Sequence, residues 1–133
     1  MPLISGEFHV TMQAELLSVP ASGFGLGRMS LDKRYEGPLT ASGNGEMLSF
    51  MGAVQGSAGY VAMERVEGTL DGRSGGFTLQ HSGTMTRGAR ALSVTVVPDS
   101  GSGDLTGLSG KLDIRIENGK HFYDFDYLLT PVA

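Results

Sequence analysis

Apolar and polar residues alternate with a period of two along most of the chain, a pattern that half-buried antiparallel strands satisfy and an amphipathic helix does not. In the first such run, Phe8, Val10, Met12, Ala14 and Leu16 fall on one face and Glu7, His9, Thr11, Gln13 and Glu15 on the other. A second run sets Met29, Leu31, Lys33 and Tyr35 against Arg28, Ser30, Asp32, Arg34 and Glu36, so its apolar face carries one cation. Near the end, Leu112, Ile114 and Ile116 alternate with Lys111, Asp113, Arg115 and Glu117. Glycine supplies 21 of the 133 residues. Each glycine weakens a helix interior by roughly 0.5–1 kcal/mol relative to alanine, which argues against an all-helical fold.

Turn chemistry separates the runs. Asn44-Gly45, Asp71-Gly72 and Asn118-Gly119 are dipeptides that accept positive φ at both central positions of a type I′ turn, and each predicts a hairpin. The groups Gly23/Gly25/Gly27, Gly56/Gly59, Gly75/Gly76 and Gly101/Gly103 fit the bulges and bends of a sheet that coils into a barrel. Strands are predicted at 4–17, 25–36, 37–51, 56–69, 75–87, 89–98, 109–117 and 120–130, with 99–103 in the longest loop. Eight strands joined mostly by short turns read as one antiparallel up-and-down barrel over residues 1–133. Closure removes edge strands, for which this sequence shows few protections such as mid-strand proline. A β-sandwich uses the same alternation and is the alternative.

Composition narrows the function classes. Without cysteine there is no disulfide framework, thiolate metal site or thiol nucleophile. A net charge of −4 with no dense Lys/Arg cluster gives no field for nucleic acid, so no nucleic-acid partner is expected. Met1-Pro2-Leu3-Ile4-Ser5-Gly6 lacks a basic segment followed by an apolar one, and no apolar run is long enough for a spanning helix. A cytoplasmic location without a membrane partner is the expectation.

Two constellations carry possible chemistry. Tyr60, Ala62 and Glu64 share one face of a strand, and Phe77, Leu79 and His81 one face of the next. If both faces point inward, Glu64 and His81 pair as general acid and base with Tyr60 as a hydrogen-bond donor, or serve as a structural buried pair. His121, Tyr123, Phe125 and Tyr127 line one face of the last strand, suiting either a ligand-orienting wall or an ordinary core. Lys33, on an apolar face, is an anion anchor or a lysine reaching for the rim. The expected ligand-binding set is therefore Lys33, Gln80, His121, Tyr123 and Tyr127.

Other patterns carry less. Gly72-Arg73-Ser74-Gly75-Gly76 matches a nucleophile elbow, but a strand rather than a helix follows it. Gly101 to Gly107 lacks the spacing of a dinucleotide fingerprint and reads as a tight glycine turn or a weak anion nest. A zinc site of Glu64, His81 and His121 would need strands to converge in a way nothing in the spacing requires, so neither metal nor cofactor is expected. Met12, Met29, Met47, Met51, Met63 and Met85 sit mostly on apolar runs and are read as core, where a flexible thioether fills irregular space.

Four stretches taken together resemble a bacterial family, domain of unknown function 3224. They are Gly56-Ser57-Ala58-Gly59-Tyr60-Val61-Ala62-Met63-Glu64, the segment from Gly68-Thr69-Leu70-Asp71-Gly72 through Gln80-His81-Ser82-Gly83, Val96-Val97-Pro98-Asp99 through Gly107-Leu108-Ser109-Gly110, and His121-Phe122-Tyr123-Asp124-Phe125-Asp126-Tyr127. Gly76 and Ser102 stand where serine and threonine are common in the family. The resemblance implies an eight-stranded barrel similar to allene oxide cyclase, or lipocalin-like, that forms homo-oligomers from dimer to tetramer. Related barrels include cyclases that fold an apolar substrate without a cofactor, an analogy of fold alone. Three readings follow: a barrel that binds a small, largely apolar molecule, a cofactor-independent isomerase or cyclase using Glu64 and His81, and a structural or protein-interaction barrel with a filled interior.

Overall fold

The computed structural model describes residues 2–131, and along its strands buried and exposed positions alternate much as the sequence does. The strands are β1 (Leu3–Glu15), β2 (Leu26–Tyr35), β3 (Leu39–Met51), β4 (Ala58–Leu70), β5 (Arg73–Thr86), β6 (Ala89–Val96), the short β7 (Ser102–Gly103), β8 (Leu108–Glu117) and β9 (Lys120–Leu129). The eight long strands are all paired antiparallel in the order β1-β2-β3-β4-β5-β6-β8-β9, and β9 returns to β1. The closed ring rules in favour of the barrel over the sandwich, and β7 merely adds a two-residue pairing on β5. No helix among the described residues is long and apolar enough to cross a membrane.

Two of the three predicted I′ turns are present, at Asp71-Gly72 (φ 48° and 82°) and Asn118-Gly119 (φ 52° and 77°). The third is not. Asn44-Gly45 lies in the middle of β3, with Asn44 opposite Asp32 on β2 and Arg65 on β4. Gly45 is there for close approach: a Cβ would sit 2.0 Å from the Met63 carbonyl oxygen and 2.8 Å from Glu64 Cα. Pairing on both sides overrides the local turn preference of the dipeptide. The β5–β6 hairpin instead turns on Arg87-Gly88, with φ 48° and 93°.

Side-chain hydrogen bonds hold the long connection after β6. Arg65 Nη1 donates to the Ser100 carbonyl (2.8 Å) and Nη2 to Ser102 Oγ (2.9 Å), while the Thr78 amide donates to Ser100 Oγ (3.0 Å). This places Leu105 over one end of the barrel, where it is 1 % exposed.

The interior is packed unevenly. At the end bearing the β2–β3 and β4–β5 turns, Leu39, Leu70, Phe77, Leu105, Tyr123 and Phe125 are each at most 1 % exposed. At the opposite end the inward rows of the same strands remain open, with Met12 53 %, Ile116 48 % and Leu92 39 % exposed and Met29, Met47, Tyr60 and Met85 half-buried. The reading of the methionines as core is thus corrected. None of the six is fully buried, because they lie at the flared end or, for Met63, on the outer face.

Candidate functional site

Three inward rows meet between the two ends: Leu31, Lys33 and Tyr35 from β2, Ala62, Glu64 and Val66 from β4, and Leu79 and His81 from β5. Glu64 has no solvent exposure, and Lys33 and His81 are buried beside it. Its Oε1 accepts hydrogen bonds from Lys33 Nζ (3.0 Å) and His81 Nε2 (2.9 Å), and its Oε2 accepts one from the Tyr35 hydroxyl (2.5 Å). An ionised carboxylate only accepts, so the His81 proton facing it resides on Nε2. Lys33 Nζ also lies 5.3 Å from the Phe8 ring centroid, a cation–π distance.

Room for this cluster comes from a glycine. Gly43 on β3 faces Val66 in register and points at the carboxylate, where a Cβ would sit 2.1 Å from Glu64 Oε2 and 3.1 Å from Tyr35 Cε2. A side chain at residue 43 would occupy the space in which Tyr35 reaches Glu64.

Burial is the largest single influence on Glu64 and pushes its carboxyl up. The His81 hydrogen bond, the Lys33 charge and the Tyr35 hydrogen bond together outweigh it and hold the carboxyl below its ordinary range. Tyr35 moves the other way, pushed well above the usual phenol value by burial and then by the Glu64 charge and hydrogen bond. At neutral pH the carboxylate is therefore ionised and the phenol keeps its proton. Among the described residues Lys33 and His81 make no further side-chain hydrogen bond, which leaves two ammonium protons and the His81 Nδ1 edge without a side-chain partner.

The predicted pair of Glu64 and His81 is therefore brought together, and Lys33 joins it instead of reaching for the rim. Tyr60 does not join: its ring lies 6.4 Å from that of His81 and it makes no hydrogen bond to Glu64. The phenol on the carboxylate is Tyr35, one residue pair along β2 from Lys33. The signal for it was the row Leu31-Lys33-Tyr35 combined with Gly43 and Gly45 on the facing strand, which vacate space where large inward residues are otherwise expected.

On β9 Tyr123 and Tyr127 are buried in the core and His121 is partly buried. The Tyr123 hydroxyl donates to the Glu36 carbonyl (2.7 Å) and accepts from the Leu39 amide (3.1 Å), stitching the β2–β3 turn to β9. The Tyr127 hydroxyl donates to the Asp71 carboxylate and closes the β4–β5 turn. His121 packs its ring 5.3 Å from Phe8. Gln80 is corrected outright: with His81 facing in, strand alternation turns Gln80 to the outer face, where it is exposed. Ser74 of the elbow-like motif is exposed within β5, with no helix after it.

Nor do Glu64, His81 and His121 assemble as a metal-ligand set. Among the described residues the one His/acid group with ligand atoms within 4.8 Å of one another is Glu7, His9 and Glu36. His9 Nε2 is 3.3 Å from Glu36 Oε2 and 3.9 Å from Glu7 Oε2, on the partly exposed outer face.

Comparison with known proteins agrees with this architecture. No curated protein matches the chain. A crystal structure of a protein with unknown function from the DUF3224 family, from Shewanella oneidensis MR-1, is 51 % identical, covers 99 % of each chain and superposes with a TM-score of 0.94. The family described as "Protein of unknown function (DUF3224)" matches residues 4–127. With the match spanning all eight long strands and the relative sharing the fold from end to end, the chain belongs to the DUF3224 family.

Proposed function

We propose that this barrel is a cytoplasmic binding module that takes a small, largely apolar molecule into its open end, with the molecule's hydrogen-bond acceptor directed at Lys33 and any donor it carries at His81 Nδ1. The observation that carries this reading is the open inner face itself. Met29, Met47 and Met85 leave a deformable apolar lining above a buried ion pair whose Lys33 ammonium still has unpaired donors. A carboxylate at the bottom of such a lining neutralises Lys33, so the ligand supplies an acceptor rather than a full compensating charge.

The alternative cofactor-independent isomerase or cyclase would use Glu64 as its base. A carboxylate already accepting three hydrogen bonds and held below its ordinary range is a weak base, which weighs toward binding. A filled structural barrel fits the closed end but not the exposed inward residues opposite.

Calorimetric titration with dodecanoate and dodecanol tests the reading. Binding of either probe by the wild type, lost in Met47→Trp while the β-type circular dichroism is retained, is the expected result. Silence from both probes up to their solubility limits would overturn it. Recovery of a chemically altered probe would establish catalysis instead.

A further inference from the structure

The outer surface of the barrel is as uneven as its interior. Over β8 and β9 it is charged and internally paired, with Arg115 held by Asp124 (2.6 and 3.1 Å) and by Glu117 (3.1 Å). Over β2, β3 and β4 it is apolar: Leu26, Leu48, Phe50, Val61 and Met63 point outward and are 44–54 % exposed. Strand register makes them contiguous, since Leu26 lies opposite Phe50 and Leu48 opposite Val61.

This face has relief as well as chemistry. Two grooves of about 390 and 590 Å³ run along it and share Leu48 and Val61 as their common wall. Leu26 and Phe50 border the first groove, while Met63, Gln80 and the Arg28–Glu46 ion pair (3.0 Å) border the second.

We propose that this face is the interface of a homodimer, with a two-fold axis passing through Leu48 and Val61. An isologous interface needs one patch that carries both a protrusion and the recess that receives it, on opposite sides of its centre. Here Phe50 of one copy enters the groove beside Met63 and Arg28 of the second copy, and the reverse contact follows by symmetry. Area supports the match. A large apolar side chain presents about 150–250 Å² when fully exposed, so the five residues together offer on the order of 500 Å². A standard interface buries about 800 Å² per partner, of which about 56–65 % is apolar, so these residues supply that share.

Charge supports the same occupant. The chain carries a net −4, which disfavours self-association through most of its surface. The Arg28 and Glu46 charges that line the grooves pair with each other within each copy, so neither is left to repel the second one. The dimer requires nothing in the barrel interior and stands apart from the binding proposal.

The chain has no cysteine, so single cysteines report the interface directly. Light scattering between about 1 and 100 μM, at and above the weakest affinities of about μM for interfaces of this size, should give twice the 14.0 kDa of one chain. Val61→Cys, beside the axis, should form a disulfide-linked dimer under mild oxidation, whereas Asp113→Cys on the charged face should not. Phe50→Glu should yield a monomer whose circular dichroism matches the wild type. A wild-type monomer throughout the range, or a dimer cross-linked through residue 113 and not through residue 61, would overturn the proposal.

Discussion

At the closed end of the barrel the inward apolar side chains are out of water and the Tyr123 and Tyr127 hydroxyls have fixed partners. At the open end the same strands present methionines, Tyr60 and Ile116 to solvent. Tyr123 and Tyr127 seal the closed end by donating to the Glu36 carbonyl and the Asp71 carboxylate, while Tyr60 donates no hydrogen bond to another side chain or to the backbone among the described residues. The buried ion pair of Lys33 and Glu64 lies where one regime gives way to the other. The lesson is that stability and recognition occupy different lengths of the same strands: well-defined packing at one end lets the other end stay adaptable.

The largest effects should separate the two ends. Phe125→Ala removes a ring stacked 5.7 Å from Phe77 and should cost about 3–5 kcal/mol in urea denaturation, against at most about 1 kcal/mol for Met47→Ala at the open end. Equal costs would show that both ends are packed alike. At the junction, Glu64→Ala leaves Lys33 buried without its counter-charge and should cost about 3–5 kcal/mol, whereas the double variant Glu64→Leu with Lys33→Met should recover most of that loss. A double variant as unstable as the single one would mean that the cluster is needed for packing rather than for charge balance.

Smaller effects sharpen the same boundary. Gly43→Ala should destabilise by about 1–3 kcal/mol, since its methyl competes with Glu64 for space, and should release the Tyr35 hydroxyl, visible as a lowered phenol titration. Tyr123→Phe removes the hydroxyl that ties Glu36 and Leu39 to β9 and should cost about 1–2 kcal/mol without changing probe binding.

The last comparison is made with pH. All four tyrosines are held above the ordinary phenol value, Tyr127 to about 12 by burial and then by its bond to Asp71. Their folded values exceed their unfolded ones, so the neutral phenols contribute stability below pH 10 that is lost as pH rises toward 12. Absorbance at 295 nm should therefore show little tyrosinate at pH 10 and a cooperative rise as the barrel opens. Glu64 works in the opposite direction: its contribution is full above the ordinary carboxyl range and disappears as pH falls through its lowered folded value. A gradual, non-cooperative tyrosine titration would show that the phenols are more open than their partners imply.

Much of this could be read before any coordinates. The row Leu31-Lys33-Tyr35, the row Tyr60-Ala62-Glu64 and the row Phe77-Leu79-His81 define inward faces by alternation alone, and Asp71-Gly72 and Asn118-Gly119 define hairpins by their tolerance of positive φ. The pairing of Glu64 with His81 was legible because adjacent antiparallel strands place their inward rows side by side. Tyr35 was harder to read as the third partner, since β2 and β4 touch only through β3, and the glycines at 43 and 45 become a signal only once the strand register places them between Tyr35 and Glu64. Asn44-Gly45 misled for the same reason, its turn preference being overruled by strands on both sides.

The sequence by itself determined the strands, most of their turns and which side chains share a face, because period-two alternation and turn stereochemistry act over a few residues. Tertiary structure alone decided which inward row would be sealed and which left open, where Glu64 finds its three donors, and that the phenols of β9 close turns. Those outcomes depend on barrel closure and on distances between strands far apart in the chain, quantities no local pattern contains.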